Sequence, residues 1–180
     1  KRQVQENEDE APNPLDQIGV ILQLLFMYTI QGATLQIPRT LGVHMAREVD
    51  QCEDAYHIQT YLDNVWWPFS LKILFAPLVD FIPLRCFKRK YHRRAYICVT
   101  GLISAGIFLS LAFSWNLIDP DHTCPKPELL FLHLFVIVLS TAIGDVALDG
   151  LSVLSLQGKN IGYFALIQSV GDTVGTTGSG

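Results

Sequence analysis

The sequence predicts an all-α polytopic transmembrane helix bundle, and three observations predict it. Apolar residues make up 49% of the 180 and charged residues 17%, against about 25% charged in soluble domains. The charges are bunched into an acidic head and short loops between long apolar runs. Each run approaches the ~20 residues that a helix needs to cross a bilayer. Open sheets cannot cross lipid, and β-barrel alternation is absent from the sequence.

The elements follow in order. Residues 1–16 are polar and acidic (Glu6, Glu8, Asp9, Glu10, Asp16) with Pro12 and Pro14, the composition of a disordered cytoplasmic tail. No secretory signal pattern is present there. The remainder, 17–180, reads as one transmembrane domain of about five helices that stops inside an apolar pattern, as in a fragment of a longer protein. The first span is expected at Ile18–Leu41, with Gln31, Gly32, Gln36, Pro38 and Arg39 in its more polar half. A net-negative loop follows at 44–57. The second span, Ile58–Phe81, carries Lys72 near the middle of a long apolar run and Asp80 at its end. A cationic loop comes next, with Arg85, Lys88, Arg89, Lys90, Arg93 and Arg94. The third span is expected at Ala95–Leu117, with Gly101 and Gly106 suited to close packing. The loop 118–128 is net negative, the fourth span is Leu129–Leu154, and a turn with Gly158, Lys159 and Asn160 leads to a fifth from Ile161.

Lys and Arg resist translocation, so the basic loop is expected in the cytosol. The N-terminus and Lys159 then fall on the same side. The loops with Asp50 and Asp121 fall on the other, lumenal, side. Cys52 and Cys124 share that oxidising side and are expected to be able to pair. The basic cluster is too short for a nucleic-acid surface. The five histidines show no metal spacing, no cofactor motif is present, and no feature specifies an oligomeric state. The partner that the composition implies is the lipid bilayer.

The second span holds the block Trp67-Pro68-Phe69-Ser70-Leu71-Lys72-Ile73-Leu74-Phe75-Ala76-Pro77-Leu78-Val79-Asp80, with Arg93-Arg94 after it. The block resembles the second-helix motif of the acetyl-coenzyme A transporter family of the endoplasmic reticulum, within the major facilitator superfamily, and the arginines resemble the pair that follows it in that family. Gly144-Asp145-Val146-Ala147-Leu148-Asp149-Gly150 resembles its fourth-helix signature. Asn160-Ile161-Gly162-Tyr163 with Ser169-Val170-Gly171 resembles the start of its fifth helix, and Phe26, Tyr28 and Gln31-Gly32 echo its first. His92 replaces a glycine of the family pattern, Leu151 an aromatic, and Asp172 a neutral amide. The resemblance implies a carrier of twelve to fourteen helices, of which this chain supplies the first five. It implies acetyl-coenzyme A as substrate and an endoplasmic reticulum location.

The site residues are read on that basis. A cation at the bilayer centre costs at least about 2.5 kcal/mol on insertion scales, so Lys72 is expected to face the bundle interior. There it either counters an anionic substrate or pairs with Asp145 or Asp149. Asp145 and Asp149 lie i, i+4 on one helix face, a stripe extended by Thr141 and Ser152. Carboxylates that close in a low dielectric do not both ionise freely, which makes the pair a candidate proton site. The alternative is that one aspartate bonds only to neighbouring helix ends. Asp80 with Arg93 and Arg94 resembles the superfamily's cytoplasmic gating hairpin; the alternative is plain charge anchoring. Arg39 either meets a substrate phosphate or snorkels to the interface. Gly171 and Gly175, with Gly178, permit close helix contact. Trp66 and Trp67 are read as interface or packing aromatics.

The expected function is therefore transport of acetyl-coenzyme A across the endoplasmic reticulum membrane, by exchange or with protons, and not an enzymatic reaction. One alternative is a muropeptide-permease-like carrier. A membrane-embedded acyltransferase would need a catalytic histidine or paired nucleophile within a span, and His133, the mid-span histidine, has no partner evident in the sequence. A non-transporting scaffold gains nothing from expensive intramembrane charge.

Overall fold

A computed structural model describes residues 18–49, 55–82, 92–118, 127–156 and 162–178. These form seven helices and no strand: α1 (Ile18–Val49), α2 (Ala55–Val65), α3 (Trp67–Ser70), α4 (Lys72–Phe81), α5 (His92–Ile118), α6 (Pro127–Ser155) and α7 (Phe164–Gly178). The acidic head, most of the basic loop and both Cys52 and Cys124 lie outside the described residues.

Stretches of α1, α5 and α6, of 25, 21 and 28 residues, are long and apolar enough to cross a membrane. At 1.5 Å per residue they measure roughly 30–40 Å. Large apolar side chains cover their outsides and that of α4: Ile73 is 84% exposed, Phe81 83% and Phe113 84%. Water would penalise such a surface, and lipid matches it.

Two expected boundaries are corrected. The segment 44–57 was expected to be a loop, but α1 continues through Val49 and α2 begins at Ala55. Hydropathy marks where a helix leaves the apolar layer. It does not mark where the helix ends, and Met45-Ala46-Arg47-Glu48 are good helix formers. The second span is not one helix but three pieces. Pro68 has no N–H to return to the carbonyl of Asn64. The chain adapts with tighter turns: Phe69 N–H donates to Trp66 O at 3.0 Å and Leu74 N–H to Leu71 O at 2.8 Å.

The chain divides into two compact units, Leu35–Leu148, and Lys1–Thr34 with Asp149–Gly180. In the first, α5 and α6 pack antiparallel. Thr100 lies against Gly144, Ser104 bonds Ser140, and Ser110 bonds His133, so each step forward on α5 is matched by a step back on α6. Val65, Leu111, Leu130, Leu134 and Val138 form one buried cluster, and Val79, Tyr96 and Ala147 another. The close approach expected of Gly101 and Gly106 is not made there, since nothing lies within 4 Å of a Cβ at either. The small residue that admits the neighbour is Gly144.

In the second unit α1 and α7 run in the same direction and nearly touch. A Cβ at Gly171 would meet Tyr28 Cβ at 2.5 Å, and one at Gly32 would meet the Asp172 carbonyl oxygen at 2.7 Å. Gly171 and Gly175 are buried in this crossing, whereas Gly178 faces open space.

Candidate functional site

Lys72 is the first residue of α4, one position past the break at Leu71. Its ammonium is ion-paired with Asp145 on α6. Lys72 is partly buried and Asp145 buried. Of the two readings of Lys72, a pair with an aspartate is the arrangement present. Breaking such a pair by removing one partner leaves the other charge uncompensated, at a typical cost of about 3–5 kcal/mol.

Asp149 sits in a polar cluster within the second unit. The Tyr28 hydroxyl donates to Asp149 Oδ1 at 2.9 Å and lies 3.2 Å from Ser152 Oγ. Gln168 Nε2 donates to the same Oδ1 at 3.4 Å. Tyr28 and Ser152 are fully buried. The tyrosine ring meets Phe164 edge-on, with centroids 6.4 Å apart. Thr141, expected on the same polar stripe, is buried, and its hydroxyl donates to the Ile137 carbonyl of its own helix at 2.8 Å.

Arg93 Nη2 donates to Asp80 Oδ1 at 2.8 Å, which ties the end of α4 to the start of α5. Tyr96 reinforces this corner, its hydroxyl donating to the Ile82 carbonyl at 2.8 Å. Arg94 is exposed. Asp80 is more than half exposed, and exposed pairs contribute only about 0–1 kcal/mol. Arg39 is also exposed, and its guanidinium stacks over the Trp66 ring at 5.0 Å. Trp66 thus holds a cation at the break between α2 and α3 as well as packing.

His133 is not isolated. Its Nδ1 lies 2.7 Å from the Leu129 carbonyl, which can only accept, so Nδ1 carries the proton. Nε2 lies 3.2 Å from the Ser110 hydroxyl. No group of three metal-ligating side chains occurs among the described residues.

The family model described as Acetyl-coenzyme A transporter 1 matches residues 20–177. The chain belongs to that family. Among curated relatives of this acetyl-coenzyme A transporter 1 family member is an uncharacterized protein of Schizosaccharomyces pombe (strain 972 / ATCC 24843), 28% identical over 174 residues. That alignment covers 94% of this chain and 31% of the relative, so the chain spans about a third of the relative's length. No solved structure matches.

For this family member the structure brings together Lys72 with Asp145 and Asp80 with Arg93. Sequence reasoning missed Gln168 altogether and gave Tyr28 no chemical role. A usable signal was present in Tyr28, because a phenol inside an apolar run needs a hydrogen-bond partner when buried. Nothing in the sequence singled out Gln168 among the amides.

Proposed function

We propose that the chain forms part of a multi-pass major facilitator carrier of the endoplasmic reticulum membrane that moves acetyl-coenzyme A. The observation that carries this reading is an ion pair inside apolar helices, Lys72 with buried Asp145, in a chain that matches the Acetyl-coenzyme A transporter 1 family over most of its length. Coenzyme A thioesters are polyanions. A mid-membrane lysine can release its aspartate and meet a phosphate, and an aspartate that takes up a proton lowers the repulsion of the entering anion. Asp149 is the carboxylate proposed for that proton. Arg39, exposed and stacked over Trp66, is proposed to meet a further phosphate, and Asp80 with Arg93 and Arg94 is proposed to hold one conformation shut. In this reading the basic hairpin and the N-terminus are cytosolic.

The test is uptake of labelled acetyl-coenzyme A into liposomes carrying the full-length protein. Lys72→Ala is expected to raise KM about tenfold or more. A Lys72→Ala/Asp145→Ala double variant removes both charges and is expected to recover thermal stability without recovering KM. Recovery of both would make the pair purely structural. Absence of uptake by the unaltered protein would remove acetyl-coenzyme A as the substrate.

A further inference from the structure

The Tyr28 hydroxyl lies within hydrogen-bond distance of both the Asp149 carboxylate and the Ser152 hydroxyl, at 2.9 Å and 3.2 Å. A phenol has a single proton to donate. With Asp149 ionised, that proton goes to Oδ1, and Ser152 donates to the phenol oxygen. With Asp149 protonated, the carboxyl O–H can donate to the phenol oxygen, and the phenol proton turns to Ser152. The change adds one proton to one carboxylate and reverses two hydrogen bonds, with no displacement of heavy atoms required. The ring cannot drift while this happens, because Phe164 packs edge-on against it and Gly171 lies directly on its Cβ.

We propose that Tyr28 is a positioning residue for the proton step: it orients Asp149 and reverses its hydrogen bond as Asp149 gains or loses a proton. This rests on the reading of Asp149 as the proton-binding carboxylate. Among the described residues, Tyr28 from α1 and Gln168 from α7 donate to Asp149, and Ser152 on α6 meets the Tyr28 hydroxyl. The remaining titratable residues in the described part of that unit are Asp172, one turn beyond Gln168 on α7, and Tyr163 just before that helix. Asp145, one turn back along α6, is paired with Lys72.

The experiment is an infrared titration of the full-length protein in lipid nanodiscs, which needs no substrate. Asp149→Asn is expected to delete one carboxylic-acid C=O band that titrates with pH. The Tyr28 phenol C–O stretch is expected to shift as the Asp149 band appears, because its oxygen changes from donating to the carboxylate to accepting from the carboxyl. Tyr28→Phe keeps the ring and is expected to delete that shift while the Asp149 band persists. Ser152→Ala removes the second partner of the phenol and should reduce the shift. Absence of a tyrosine C–O shift that Tyr28→Phe deletes overturns the proposal, and so does a spectrum from which Asp149→Asn removes no titrating band. Liposome uptake is read separately: failure to move acetyl-coenzyme A would sink the substrate reading while the band titration still decides the role of Tyr28.

Discussion

Gly175 shows how much one hydrogen atom can decide. A Cβ there would fall against the Thr29 carbonyl, 2.8 Å from Ala33 N and 3.0 Å from Gly32 Cα. Those neighbours are backbone, so none can rotate aside. Gly175→Leu is expected to push α7 off α1 and destabilise the protein by about 1–3 kcal/mol, read as a lower thermal midpoint in detergent. Gly178→Ala, in open space, should leave that midpoint unchanged. At this scale the sequence was only partly legible. The G-x-x-x-G spacing announced close packing, and the expense of intramembrane charge announced Lys72, Asp145 and Asp149. Which aspartate the lysine meets, and which hydroxyl meets the other, depends on helix rotation and height. A single sequence does not encode those directly, so Gln168 was invisible and Ser110 was not matched to His133.

At the scale of elements, α5 and α6 are joined by a ladder of small and polar residues as well as by large apolar ones. Ser104 and Ser140 share a buried hydrogen bond of 2.6 Å. Interhelical bonds of this kind contribute about 0.6 kcal/mol on average inside membranes. Ser140→Val is therefore expected to lower stability by about 0.5–1 kcal/mol. Gly144→Leu should cost clearly more, because its side chain would run into Thr100, whose Oγ1 lies 2.7 Å from a Cβ at that position. Chemical denaturation of the two variants side by side would rank them. The existence of the helices was legible from hydropathy; their ends were not. The turns near Trp66 and Leu71 were foreshadowed by Pro68, yet the second span still read as one helix because the residues next to the proline, Val65-Trp66-Trp67 and Phe69, are apolar.

For the whole molecule, the outward apolar surface and the clustered loop charges point to the same bilayer placement. With the four native cysteines replaced by serine, a single cysteine at Lys88 is expected to react with an impermeant thiol reagent from the cytosolic side. One at Asp121 should react only from the lumenal side. Reaction of both from one side would overturn the proposed topology, because an odd number of crossings must separate them.

The pairing of Lys72 with Asp145 also imposes an order in time. The lysine leaves the ribosome 73 residues before its partner, counting from 72 to 145. At ~5–20 residues per second that is roughly 4–15 seconds of synthesis. Throughout that interval the second span carries a cation that the insertion machinery charges at about 2.5–3.5 kcal/mol mid-helix, in a segment already interrupted at Leu71. Its settlement in the membrane is thus expected to await α6, and a lesion at Asp145 is expected to lower the yield of inserted protein as well as the stability of what folds.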